Sequence, residues 1–123
     1  MSRYIVPILV LFLGASCPVT VGAQESKGYV VGTVTLQNTD WVAEYRPKTA
    51  ELLKKYGGRI LVRGAPLETL EGTEPSGDAI LVVAFPSVEN AHAWYNDPDY
   101  APHRDLRQTG STADWVLVKG LGN

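Results

Sequence analysis

The chain has 123 residues, 45% of them hydrophobic and 20% charged, which is enough for one domain with its own core and leaves no room for a second. A formal net charge of -2, with 11 basic residues spread along the chain, excludes the concentrated positive surface that nucleic-acid binding requires. The composition is that of a globular domain, neither disordered nor membrane-embedded.

The first residues predict an export signal. Met1-Ser2-Arg3 supplies a short positive region, Tyr4 to Leu13 an apolar run, and Val21-Gly22-Ala23 a small-residue cleavage site. The run is too short to span a bilayer, which takes about 20 apolar residues, and Pro7 interrupts it. An N-terminal core helix is the poorer alternative, because the run is apolar all round and joins the domain through Pro18 and Gly22. Residues 1–23 are thus assigned to a signal peptide, 24–28 to a polar leader and 29–121 to one domain, exported to the periplasm or the medium. Removal of Arg3 with the signal leaves 10 basic against 13 acidic residues. Cys17, the only cysteine, falls inside the signal, so the mature chain has neither disulfide nor thiolate ligand. In a second reading Gly14-Ala15-Ser16-Cys17 is a lipoprotein box with Cys17 acylated, although Gly14 stands where such boxes usually carry Leu.

Tyr29 to Leu36, rich in β-branched and aromatic residues, is the first predicted strand. Gly32 in its middle weakens it or admits a close approach to the backbone. Thr39 or Asp40 caps a helix over residues 41–56, in which Trp41, Tyr45, Leu52, Leu53 and Tyr56 share a stripe. Pro47 should kink or restart that helix. Gly57 and Gly58 end it, since glycine alone enters the left-handed region freely. The second strand follows from Arg59 to about Ala65, with Arg59, Leu61 and Arg63 on one face, and 66–72 can extend it past a bend. Ala79 to Phe85 reads as a strand buried on both faces. Ser87 caps a helix over 88–96, Pro98 opens a short helix to about Thr109, and Asp114 to Gly120 is the last strand.

The order β-α-β-β-α-β is that of an α+β, ferredoxin-like fold: a four-stranded antiparallel sheet with its helices on one face. The strands nevertheless look apolar on both faces. In so short a chain the expected cover for the second face is another copy, giving a homodimer with facing sheets.

Several motifs in order also resemble a known family. Tyr56-Gly57-Gly58-Arg59 with Leu61-Val62-Arg63-Gly64, then Leu70-Glu71-Gly72, Phe85-Pro86-Ser87, and Ala93-Trp94-Tyr95 with Pro98-Asp99-Tyr100 and Leu106-Arg107 are similar to domain-of-unknown-function family 1330. The resemblance spans about residues 28–121. It implies the dimeric α–β barrel fold shared with small cofactor-free monooxygenases, and it brings no established activity.

Ligand-binding candidates are the polar and aromatic groups that this layout directs toward a pocket: Arg59 or Arg63 for an anionic group and Tyr45, Trp94 and Tyr100 for a planar one, with Arg107 a further candidate. Against this, a buried arginine is usually ion-paired, Arg63 with Glu71 for instance, and aromatic residues at helical spacing usually form core. His103 and Tyr45 are weak candidates for proton transfer, the ordinary reading of His103 being a solvated helix residue. Two histidines and no mature cysteine predict no metal site, and no phosphate loop or nucleophile elbow is present, so no cofactor is expected. Three readings follow: a binder of a small anionic or aromatic molecule, a cofactor-independent monooxygenase or isomerase, and an envelope interaction module without ligand.

Overall fold

The structure, a computed structural model, describes residues 26–122 and the isolated Gly14. The rest of the predicted signal, with Cys17 and its two alternative fates, lies outside the described residues. Seven elements follow in order: β1 (Gly28–Leu36), α1 (Val42–Lys55), β2 (Arg59–Gly64), β3 (Ala79–Phe85), α2 (Val88–Asn96), α3 (Tyr100–Gln108) and β4 (Ser111–Lys119). The strands form one antiparallel sheet in the order β2-β3-β1-β4. Both helical connections cross a neighbouring strand, so all three helices come to lie on one face. This is the α+β ferredoxin-like arrangement.

The core lies between that face and the helices. Val30, Val83 and Phe85 from the sheet meet Leu52 and Leu53 of α1, Ala91 and Trp94 of α2 and Tyr100 of α3. Gly57 closes α1 at φ +70°, with the Gly58 amide donating to the Leu53 carbonyl at 2.8 Å, so the chain turns directly into β2. Ser87 caps α2 by accepting the Asn90 amide at 3.1 Å, as its side chain predicts.

The start of α1 differs from expectation. Neither Thr39 nor Asp40 caps it by side chain; Trp41 is the cap residue. Asn38 organises the turn instead, its Oδ1 accepting the Asp40 amide and its carbonyl accepting the Trp41 indole N–H at 3.0 Å. Nor does α1 restart at Pro47, which sits within one continuous helix. The buried Leu52 and Leu53 outweigh one missing ladder bond. Residues 65–78 add no strand to β2 but form an irregular loop. The loop returns to the sheet where the Asp78 amide donates to the Val34 carbonyl at 2.9 Å.

The largest correction concerns the two arginines of β2. Ile60 pairs with Val83 but Val62 with the adjacent Val82, so Leu61 is an extra residue, a β-bulge. A strand alternates faces strictly, so one inserted residue reverses everything after it. Arg59, opposite Ala84, therefore lies on the open face, whereas Arg63, opposite Leu81, lies on the helix face. They do not share a face.

The open face carries Tyr29, Val31, Val62, Ile80, Val82, Val116 and Val118, placed by the ladder register. Val116 is 57% and Val118 50% exposed. No helix among the described residues covers them.

Asp97 ties α1 to α2. Its Oδ1 accepts the Asp99 amide, and its Oδ2 accepts from the Tyr56 hydroxyl and from Lys55 Nζ at 3.1 Å. The Tyr56 hydrogen bond, helped by the Asp99 amide and Lys55, lowers the Asp97 pKa from 3.8 to about 2. A depressed carboxylate stabilises the fold above its unfolded pKa, and that contribution is lost as protons bind the folded state. Melting temperature should therefore fall as pH drops from about 4 to about 2. In Asp97→Asn this part of the pH profile should flatten, with a lower plateau at neutral pH; an unchanged profile would assign the acid sensitivity elsewhere.

Candidate functional site

A cavity of about 130 Å³ opens between the N-terminal half of α1, the end of α3 and the sheet. Its wall is mostly apolar, with Val34, Leu36, Val42 and Leu81 together with Trp41, Tyr45 and Trp115. Three arginines line it as well: Arg46 from α1, Arg63 from β2 and Arg107 from α3. A smaller chamber of about 50 Å³ follows along α1, sharing Tyr45, Arg46, Arg63, Leu81 and Trp115 and adding Thr49, Leu53, Ile60 and Trp94. No acidic side chain lines either chamber.

Arg107 reaches the wall because it follows Tyr100 by two helical turns and shares its buried stripe. Its carbonyl accepts the Ser111 hydroxyl at 2.7 Å, which pins the end of α3. The residue is only 4% exposed, and its guanidinium lies 5.0 Å from the centre of the Trp115 ring, a cation–π contact. Its Nε has no hydrogen-bond acceptor in the protein. Among the described residues the ion pairs are Lys48–Glu44 and Lys55–Asp97, so Arg46, Arg63 and Arg107 have no carboxylate partner. The Arg63–Glu71 pair is absent.

Trp115 owes its position to Gly32, which faces it across the β1–β4 ladder. A Cβ on Gly32 would lie 2.6 Å from the indole ring, far inside contact distance. The close approach expected at Gly32 is therefore that of the cavity wall itself. Gly32→Ala should push Trp115 off the backbone and cost about 1–3 kcal/mol, read as a lower denaturation midpoint together with a shifted tryptophan emission. An unchanged emission would mean that the ring had room to spare.

The two chambers also collect polar groups without protein partners. Trp115 Nε1, Trp94 Nε1 and Thr49 Oγ1 are buried and unpaired. Buried donors are nearly always satisfied, and the three residues that carry these all line the smaller chamber. The Tyr45 hydroxyl lies 3.4 Å from that of Tyr100. Tyr100 is fully buried, and burial, then its neighbour Tyr45, raises its pKa, so it stays a protonated hydroxyl that can donate or accept.

The structure thus brings Tyr45, Arg63 and Arg107 to the larger chamber and Trp94 to the smaller one. Tyr100 stands behind Tyr45, outside both linings. Arg59 lies on the far side of the sheet. His103 lines neither chamber; its ring meets Tyr100 edge-on at 6.4 Å, which withdraws it from contact with a ligand there. Sequence reasoning missed Arg46, Trp41, Trp115 and Thr49. Arg46 and Thr49 lie one turn apart on α1, on the side adjoining Tyr45, a spacing visible in the sequence. Trp115 shows no such signal, because its position depends on the β1–β4 register.

Among the described residues no group of three or more metal-ligating side chains occurs, and no helix is long and apolar enough to cross a membrane.

Several solved structures share this architecture. A protein of unknown function from Rhodopseudomonas palustris superposes with a TM-score of 0.66 at 18% identity, covering 83% of this chain and 88% of its own. SnoaB, a cofactor-independent oxygenase from Streptomyces nogalater, gives 0.56 at 12% identity, with 80% and 96% covered. A dimeric ferredoxin-like protein of unknown function from Thermobifida fusca gives 0.50 at 14%, with 84% and 96% covered. At such identities the likeness concerns the fold. No curated protein matches the chain significantly. The sequence model of one family, Domain of unknown function (DUF1330), matches residues 27–121. The chain belongs to that family.

Proposed function

We propose that this is an exported homodimeric protein that binds a small organic anion in the arginine-lined cavity. One observation carries the reading: Arg107 is buried, always charged, and has no carboxylate partner. An unpaired buried guanidinium is costly, and an anion in the adjoining chamber removes the cost. Arg46 and Arg63, both exposed, add attraction without further desolvation. The apolar open face of the sheet supports the homodimer, as does the dimeric state described for the Thermobifida fusca protein.

The test is thermal shift with small carboxylates and their neutral amides at low and high salt. Carboxylates should raise the melting temperature, amides should not, and salt should weaken the effect. Equal shifts from acid and amide, or none from any acid, would overturn the reading.

A second reading, a cofactor-independent monooxygenase, draws on the Tyr45–Tyr100 hydroxyl pair at the wall and on the fold shared with the Streptomyces oxygenase. It requires a substrate that can stabilise its own carbanion. Oxygen uptake with such an acid that is lost in Tyr45→Phe would support it; binding without uptake leaves the protein a binder.

A further inference from the structure

The two chambers differ in size and in chemistry, and the difference describes the ligand. The larger, about 130 Å³, is close to the roughly 150 Å³ cavity known to accept one benzene ring. Its aromatic and aliphatic walls, Trp41, Tyr45, Trp115, Leu81 and Val34, suit a flat apolar body. Arg107 lines this chamber and not the smaller one, so a carboxylate belongs there. The smaller chamber, about 50 Å³, has room for about one oxygen atom, a water's share of liquid volume being roughly 30 Å³. It is lined by Trp94 and Thr49, 2% and 7% exposed, and by Trp115. The two indole N–H groups and the Thr49 hydroxyl all lack a protein partner. Indole N–H can only donate, so this end wants an acceptor. Arg46 and Arg63 border both chambers, but the smaller one lacks the buried Arg107 and has Leu53, Ile60 and Val83 around it, so it favours a neutral oxygen over a second carboxylate.

Resting on the anion-binding reading above, we propose that the ligand is a one-ring aromatic acid. Its carboxylate is held by Arg107, and a hydroxyl or keto oxygen across the ring enters the chamber of Trp94 and Thr49. A fused second ring exceeds the space, and a simple aliphatic acid leaves the small chamber's donors unmatched.

Calorimetric titration with 4-hydroxybenzoate, 4-methylbenzoate, 6-hydroxy-2-naphthoate and acetate tests this. The hydroxy acid should bind about tenfold tighter than its methyl counterpart, the cost expected for leaving buried donors unmet, and the naphthoate and acetate should be weaker still. In Thr49→Val, a close match in shape, and in Trp94→Phe that tenfold preference should shrink toward parity while 4-methylbenzoate keeps its affinity. Should Trp94→Phe fold poorly, Thr49→Val alone carries the comparison. Equal affinity for the hydroxy and methyl acids, or for naphthoate, would overturn the proposed ligand class while leaving anion binding intact. If no carboxylate binds at all, both readings fall.

Discussion

Arg107→Met is expected to lower carboxylate affinity by about 2–3 kcal/mol, roughly 30- to 150-fold, without destabilising the protein. The two halves of this expectation share one cause. The guanidinium is desolvated by its place at the end of α3 and has no carboxylate partner, so in the free protein it stabilises little beyond its cation–π contact with Trp115. Met fills a similar volume with no charge to desolvate, and replacing buried charge by an apolar residue is often neutral or favourable. The melting temperature should stay within a few degrees of the parent or rise. Arg107→Lys keeps the charge but loses the planar fork, and should fall between parent and Met. Titration calorimetry and thermal melts on the three proteins read both effects. A large drop in melting temperature with carboxylate binding intact would make Arg107 a structural residue and remove the main support for the binding site.

The second large effect is expected on the opposite side of the sheet. Val116→Asp with Val118→Asp places two carboxylates in the most exposed part of the apolar face. In a dimer built on facing sheets these charges would be buried without partners, at several kcal/mol each. Sedimentation velocity should then show a dimer for the parent and a monomer for the variant. The cavity lies on the helix face, so the monomer should still answer carboxylates, with affinity reduced only as far as pairing stiffens the sheet. A parent that sediments as a monomer, or a variant that remains a dimer, would rule out the facing-sheet arrangement.

The sequence was informative wherever the determinant was local. The bounds of β3 and α2, the Ser87 cap and the reversal at Gly57 follow from residues within a few positions of each other. The topology followed from element order, because a four-stranded split arrangement leaves few alternatives. The site was legible only in part. Tyr45 and Trp94 announce themselves by helical spacing, and Arg107 by its distance from Tyr100. Arg59 was placed in the wrong setting because the alternation rule counts residues and cannot see an unpaired one. Trp115 was passed over because its partner Gly32 is far away in the chain. The second-strand extension failed for a related reason: residues 66–72 can be read as a continuation of the strand but have no neighbour to pair with.

The bulge at Leu61 has a bearing on descent. Were Leu61 paired in the ladder, with the same residues in the same order, Arg63 would fall on the open face and leave the cavity with one positive group less. Such a change is invisible to percentage identity, because it is a change of pairing and not of letter. Among proteins of this architecture, a bulge at this point of the second strand is therefore a sharper marker of a shared pocket than the presence of any one arginine.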